Sequence, residues 1–310
     1  MHHPYARVFT NQDQAEAFLH NVLKFNDKPF PGILSKIVNA EQGLVNLDVS
    51  EQTLHSTHYR ERNFASEESR WELRRKILED LKNLSRLPQD EDIKLGVGGA
   101  LPNNGVMAGN KAFVIIGLPA SGKSTISSEI AEQYHAVILD PDYAKRKLPE
   151  WDSYPCSATI VHEESDKIIS GFGEINPYGL ISLYEHCLTN NYNIVIPTIG
   201  HTIERIKDLA NILNTANYET HLILVSLKRE DATKRAIVRL HRTKRYVPLG
   251  LIFDNYINNP LMTYYLLRSK FPDLFTTFSA LSTHYDPPIC IDKLNVGPCE
   301  LYQYDPNILF

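Results

Sequence analysis

The sequence has no long apolar run and no large excess of charge of one sign, and each absence excludes a class of protein. No stretch approaches the ~18 apolar residues that a transmembrane helix requires, and the first residues lack the pattern of a secretory signal. Lysine and arginine number 32 against 37 aspartate and glutamate, so no positive field attracts nucleic acid to the whole chain. We expect a cytoplasmic protein without a membrane partner; delivery into another cell by a non-cleaved signal stays open.

Cysteine is also scarce, and its spacing carries no motif. The 4 cysteines form no C-x-x-C pair and no zinc-finger pattern. A chain of 310 residues is long enough to bury a hydrophobic core without disulfides. We therefore expect reduced, structural cysteines. No internal repeat and no Ser-His-Asp pattern with its elbow is present either.

Amphipathic patterns predict helices in the first part of the chain. Asn11 is a suitable cap for a helix over 11–25, whereas 26–65 is polar and irregular. A longer amphipathic helix is predicted to begin at Ser66 and to end near 85–88. These patterns predict an N-terminal helical or irregular extension over 1–65 and a larger domain over 66–310.

The larger domain shows the pattern of an α/β fold. After a glycine-rich loop, short apolar runs alternate with helical patterns, and the runs lie at 112–116, 137–139, 193–197 and 221–225. Continuously apolar strands that alternate with helices are typical of parallel sheets covered on both faces. We predict a mainly parallel sheet flanked by helices.

The first predicted strand is followed by a full match to G-x-x-x-x-G-K-[ST], formed by Gly117, Leu118, Pro119, Ala120, Ser121, Gly122, Lys123, Ser124 and Thr125. Glycines allow backbone N–H groups to turn inward around phosphate, and Lys123 adds a cation. Ser124 supplies a hydroxyl for Mg²⁺. A strand and a helix flank the loop as the motif requires. This P-loop, or Walker A motif, predicts a binding site for ATP or GTP with Mg²⁺.

Two carboxylates follow the next predicted strand. Asp140 and Asp142 lie at its carboxyl end, where ligands bind in open α/β sheets. One of them can hold an acceptor hydroxyl and take its proton during phosphoryl transfer. The alternative is that both residues start a turn and cap the next helix.

Arginines recur late in the domain. Arg235, Arg239 and Arg242 are spaced by four and three and share one helical face, and Arg245 follows before Pro248. A guanidinium neutralises charge on phosphoryl oxygens well. A solvated basic helix face is the alternative interpretation.

In combination, the P-loop, the Asp-x-Asp, the stretch Val161-His162-Glu163-Glu164-Ser165 and the segment Lys244-Arg245-Tyr246-Val247-Pro248 resemble the zeta-toxin family over about 66–270. The resemblance implies a P-loop kinase of the toxin–antitoxin class that moves the γ-phosphate of ATP to a hydroxyl of a small nucleotide-containing metabolite, such as UDP-N-acetylglucosamine. It implies that Asp142 is the catalytic aspartate, which acts as the base. It also places Lys123 and Ser124 on the phosphates and metal, and Arg239 and Arg245 on the transferring group, with Arg242 as a substitute for Arg239.

The resemblance weakens at the acceptor site, which it places around Asp140, His162, Glu163, Ser165, Thr198 and His201. Pro197 and His201 stand where well-known zeta toxins carry a glutamate and an arginine. Proline cannot ionise, so a different acceptor is one hypothesis. Three others stay open: a kinase of the NAD adenosine ribose (NAD 3′-kinase-like), a non-catalytic nucleotide-binding protein and a polynucleotide kinase.

Residues 1–65 have no counterpart in this resemblance. Because separate antitoxins block the nucleotide site in such systems, one hypothesis is that this extension inhibits the kinase in cis. A separate antitoxin partner is the other.

Overall fold

The computed structural model describes residues 8–243 and 245–308 as two compact units. The first unit contains the chain up to Asn103, then Leu139–His186 and Ala236–Leu251. The second contains Asn104–Ile138, Cys187–Arg235 and the chain from Ile252 onward. The domain boundary after residue 65 stays a prediction.

Eleven α-helices are described: α1 Gln12–Ala17, α2 Ile33–Val45, α3 Glu67–Asn83, α4 Lys123–Gln133, α5 Pro141–Lys147, α6 Ser157–Ile160, α7 His162–Ser170, α8 Leu183–Thr189, α9 Ile203–Thr215, α10 Arg229–Thr243 and α11 Asn259–Lys270. Short π-helices cover Phe18–Val22 and Leu251–Tyr256. A 3₁₀ turn at Pro149–Asp152 follows α5.

The second unit is built on a seven-stranded sheet in the order β2-β3-β1-β4-β5-β6-β7. Its strands are β1 Lys111–Ile116, β2 Val137–Ile138, β3 Ile194–Thr198, β4 Glu219–Ser226, β5 Thr277–Ser282, β6 Ile289–Leu294 and β7 Gln303–Tyr304. Every adjacent pair among these strands is parallel except β5 and β6. The predicted α/β class with a mainly parallel sheet is confirmed.

Burial explains why the central strands are continuously apolar. In β1 the residues from Ala112 to Ile116 are all buried, because α4 contacts the strand and β3 and β4 pair with its two edges. A strand covered on both faces needs apolar side chains at every position. The central place of β1 in the sheet therefore fixes the point at which the following loop begins, Gly117.

The first unit is largely helical. As predicted, α3 follows Ser66, whose hydroxyl accepts a hydrogen bond from the Ser69 backbone N–H at 3.2 Å. The expectation that 26–65 is irregular is wrong, because α2 lies inside it. Ile33, Ile37 and Leu44 recur at helical spacing and are buried. Gly32, in a left-handed conformation, precedes α2 without a side-chain capping bond, so the usual start signal is missing.

A buried ion network ties α3 to later parts of the first unit. Arg70 donates to Glu150 at 2.8 Å and to Glu164 of α7 at 2.5 Å, and Arg74 donates to Glu164 at 2.7 Å. The side chains of all four residues are at most 1% exposed. Buried charges are tolerated only when they are paired in this way, so the network holds α7 against α3.

The cysteines differ from the sequence expectation. Cys290 and Cys299, with Cα atoms 5.9 Å apart, form a disulfide, whereas Cys156 and Cys187 are free and buried. The expectation of reduced cysteines is therefore wrong for one pair. Only the path of the chain after β6 brings these two residues together, and their spacing matches no motif. Within the described residues, no helix has the length and apolar character needed to cross a membrane.

Candidate active site

The phosphate loop, Gly117–Thr125, connects β1 to α4 in the second unit. Lys123 begins α4, and its ammonium donates to the carbonyls of Gly117 and Leu118, each at 2.8 Å. The hydroxyl of Thr283, just after β5, donates to the Ser121 carbonyl at 2.6 Å. Through these bonds, Lys123 and Thr283 hold the backbone of the phosphate loop in place.

Close packing explains the two loop glycines. A Cβ on Gly117 would lie 2.6 Å from the Val225 carbonyl oxygen, which is too close for any side chain. Gly122 has a φ of +98°, a conformation that favours glycine. Ala120 also has a positive φ, at +62°. Ser124 and Thr125 are exposed at the start of α4.

The two aspartates lie at the start of α5 in the first unit. The Asp140 carboxylate accepts a hydrogen bond from the Asp142 backbone N–H at 2.9 Å and so caps α5. Pro141 occupies the first helical position. Because Asp140 is used as the cap, Asp142 is the carboxylate whose side chain is free of the helix start.

Cations surround Asp142. The Arg245 guanidinium donates to its Oδ2, and the Lys145 ammonium lies 3.1 Å from its Oδ1. Burial acts to raise the pKa of Asp142, but the charges of Arg245, Lys145, Arg146 and Arg239 outweigh it and hold that pKa well below its usual range. Burial, with the neighbouring Asp142 charge, raises the pKa of Asp140 to about 6. Asp142 is therefore the more readily ionised of the two carboxyl groups.

Arg239 has a buried hydrogen-bond donor that pairs with none of the described residues. Burial, together with repulsion by Arg245, lowers the pKa of Arg239 to about 9. Its buried Nε has no hydrogen-bond partner among the described residues. A buried guanidinium with an unsatisfied donor is an energetic cost that an anionic ligand would remove.

A pocket of about 240 Å³ opens beside these residues in the first unit. Its walls come from the turn after α5, from α6 and from the segment after α10, and its lining includes Trp151, Asp152, Tyr154, Ser157, Arg245 and Tyr246. The Arg146 guanidinium lies 5.8 Å from the Trp151 ring. The pocket combines aromatic faces with the same arginine that contacts Asp142.

The three acceptor-site candidates on α7, His162, Glu163 and Ser165, have different surroundings. The Lys145 charge is the main reason why the pKa of His162 falls to about 4, which leaves its ring neutral near pH 7. Glu163 pairs with His55 at 2.6 Å, with both side chains partly exposed. Ser165 is fully buried and donates its hydroxyl to the His162 carbonyl at 2.7 Å. The Ser165 hydroxyl is thus already engaged within its own helix.

Thr198 and His201 belong to the second unit. Thr198 ends β3 opposite Ile116, the last residue of β1. The His201 ring lies 5.2 Å from the Tyr256 ring. Both residues therefore lie near the carboxyl ends of the central strands, where the phosphate loop begins.

Of the four arginines that the sequence singled out late in the domain, two act on Asp142: Arg239 and Arg245. Arg235 donates instead to the Thr283 carbonyl at 2.6 Å, and Arg242 is exposed near the end of α10. Lys244, part of the motif that carried the resemblance, lies outside the described residues.

Sequence reasoning missed two cations beside Asp142 and one hydroxyl beside the phosphate loop. Lys145 and Arg146 are buried on α5, and their spacing of three and four from Asp142 was a readable signal, because such residues share a helix face. Thr283 had no comparable signal. It reaches Ser121 across a sequence separation of 162 residues.

Comparison with known proteins gives one family match and two partial similarities. The family model described as Zeta toxin matches residues 108–261. The protein named "Uncharacterized protein C14G10.01" from Schizosaccharomyces pombe is 37% identical over 67 residues, which is 21% of this chain and 28% of that protein. The chain therefore spans less than a third of that relative.

A solved structure from work on the PezAT chromosomal toxin–antitoxin system of Streptococcus pneumoniae aligns with 72% of this chain and 78% of its own, at 18% identity and a TM-score of 0.45. The family match covers the phosphate loop, both aspartates, Arg239 and Arg245. Through this stretch, residues 108–261, the chain belongs to the zeta-toxin family.

Proposed function

We propose that the protein is an ATP-dependent phosphotransferase that moves the γ-phosphate to a hydroxyl of a small nucleotide-containing metabolite. One observation carries the proposal: Asp142 is held ionised by four cations, one of which, Arg239, has a buried donor without a partner among the described residues. An acceptor hydroxyl and a phosphoryl group are the ligands that such a carboxylate and guanidinium bind.

Asp142 would orient the acceptor hydroxyl and take its proton. A carboxylate with a depressed pKa is a weak base, so it removes the proton late, after bonding to the phosphoryl group has begun. That timing suits phosphoryl transfer, whose transition state is loose and asks mainly for positioning and charge neutralisation. Arg239 and Arg245 would neutralise the charge on the transferring oxygens.

The phosphate loop would hold ATP. The position of Lys123 at the start of α4, where the helix dipole favours phosphate, supports this assignment. The exposed Ser124 hydroxyl would hold Mg²⁺, which would offset charge on the phosphates. Lys123 would exchange its bonds to the Gly117 and Leu118 carbonyls for phosphate oxygens.

The pocket beside Asp142 supports a nucleotide-containing acceptor. Trp151 and Tyr154 offer ring faces for a base, and Asp152 offers acceptors for hydroxyls. UDP-N-acetylglucosamine and the adenosine ribose of NAD are the two candidates, and Pro197 and His201 favour an acceptor other than that of well-known zeta toxins. We further propose a toxin or effector role with an antitoxin as partner.

The test is mass spectrometry of a metabolite panel, with UDP-sugars and NAD, after incubation with ATP and Mg²⁺. Two variants serve as blanks: Lys123→Ala in the phosphate loop and Asp142→Asn at the start of α5. A gain of one phosphate on a single metabolite, absent from both blanks, is the expected result and names the acceptor. ATP binding without any phosphorylated product would overturn the proposal in favour of a non-catalytic nucleotide-binding protein.

A further inference from the structure

A carboxyl group lies in the middle of the apolar face of α2. Glu41 is 0% exposed, on the same helix face as the buried Ile37 and Leu44. Burial raises its pKa to about 7. A leucine at this position would complete the apolar face without that cost, so hydrophobic packing alone does not explain a glutamate here.

Glu41 reaches the segment that carries Arg245. The Tyr246 hydroxyl donates a hydrogen bond to Glu41 Oε1, whereas the buried Glu41 Oε2 has no hydrogen-bond partner among the described residues. Tyr246 is only 5% exposed and lines the pocket together with Arg245. Because adjacent Cα atoms are held about 3.8 Å apart, fixing the Tyr246 ring also fixes the backbone that carries Arg245.

A second contact holds the start of the same segment. The Phe30 ring, just before α2, lies 5.3 Å from the ring of His241 in an edge-on arrangement. His241 follows Arg239 by two residues. Glu41 and Phe30 therefore contact the chain next to Arg245 and Arg239, two of the arginines that act on Asp142.

We propose that α2 supports the arginine pair and that Glu41 is a positioning residue: through Tyr246 it sets Arg245 against Asp142. The inference rests on the proposed function for its kinetic part, since Arg245 matters only if phosphate is transferred. The inference differs from inhibition in cis in its expected result. If Glu41 positions Arg245, removing the bond between Glu41 and Tyr246 slows phosphate transfer; if the N-terminal extension inhibits the kinase, removing that bond accelerates transfer.

The test uses the full chain with four variants. Glu41→Leu and Tyr246→Phe each remove one partner, and Glu41→Leu/Tyr246→Phe removes both. Glu41→Gln keeps a carbonyl acceptor for the tyrosine. Asn39→Leu, an exposed position on the same helix, is the matched control.

We expect each single loss to lower kcat roughly 10- to 100-fold, the size of effect that a displacement of about 1 Å produces, with the KM for ATP unchanged. The double variant should be no slower than the slower single variant, because both act through one bond. Glu41→Gln should recover most of the rate. Effects that multiply, a raised KM with kcat unchanged, or a faster Glu41→Leu enzyme would each overturn the inference.

Hydrogen exchange of residues 245–249 separates this inference from the proposed function. If the wild-type chain phosphorylates nothing, the proposed function fails, yet the exchange measurement still decides the positioning role. Faster exchange in Glu41→Leu and Tyr246→Phe, but not in Asn39→Leu or Glu41→Gln, supports it. Unchanged exchange in both single-loss variants overturns it.

Discussion

The buried network around Glu164 gives a prediction with a calculable size. Glu164 accepts hydrogen bonds from Arg70 and Arg74, and all three are essentially unexposed. Burial opposes ionisation, but the bonds and charges of Arg70 and Arg74 outweigh it and lower the pKa of Glu164 from 4.5 to about 2. Glu164→Gln keeps the shape and removes the charge. Arg74 then loses its anion inside the protein.

The sign of the pH dependence follows from the direction of the shift. A lowered folded-state pKa contributes stability that is complete above pH 4.5 and is lost as the pH falls toward 2. A shift from 4.5 to about 2 corresponds to roughly 3 kcal/mol at pH 7. At pH 3 roughly 1 kcal/mol of that remains. The loss caused by Glu164→Gln should therefore shrink by roughly 2 kcal/mol between pH 7 and pH 3.

Urea unfolding at the two pH values measures these losses. Trp71 is a suitable probe, because the Arg74 guanidinium lies 4.3 Å from its ring. Glu72→Gln is the matched control on α3: its 2.6 Å pair with Arg75 is about half exposed, and such pairs contribute about 0.5 kcal/mol or less. If the Glu164 variant loses no more than this control, or loses the same amount at both pH values, the buried-charge reasoning is refuted.

Three further outcomes are expected. Asp142→Asn should slow transfer at least about 100-fold while calorimetry shows ATP affinity within about twofold of wild type; equal losses in a folded variant would contradict the assigned role. Glu41→Gln should stabilise the protein at pH 8 and not at pH 4. Because the folded-state pKa of Glu41 is raised to about 7, the contribution of Glu41 to stability is complete below pH 4.5 and falls by up to roughly 3 kcal/mol as the pH rises to 7. Urea unfolding of both proteins at both pH values checks this. Thr283→Val should weaken ATP binding about fivefold by removing the donor to the Ser121 carbonyl, whereas Thr283→Ser should not; equal affinity in both variants would show that the bond does not shape the loop.

The features that sequence reasoning predicted well depend on neighbouring residues. The phosphate loop needs only β1 before it and α4 after it, and both are recognisable from apolar spacing. Asp140 and Asp142 are close in sequence, so their two interpretations could be stated. The structure shows that Asp140 caps α5 and that Asp142 faces the cations; the role of Asp142 toward an acceptor hydroxyl stays a proposal.

The features that it missed depend on distant partners or on weak local signals. Glu41 and Tyr246 are 205 residues apart, and nothing near Glu41 shows that its carboxyl has a partner. Strand β5 consists of the small and mixed residues Thr277–Ser282, yet all six are buried. Such a strand lacks the large apolar run by which β1 was predicted.

The conformation of Ala120 links nucleotide binding to folding. A φ of +62° costs an L-residue about 1–2 kcal/mol, and it persists only where the surroundings determine it. Here the bonds of Lys123 and Thr283 to the loop carbonyls determine it. Under the proposed function, the loop that would bind the nucleotide is ordered as part of folding. Substitutions that loosen the loop should therefore lower the melting temperature and the nucleotide affinity together.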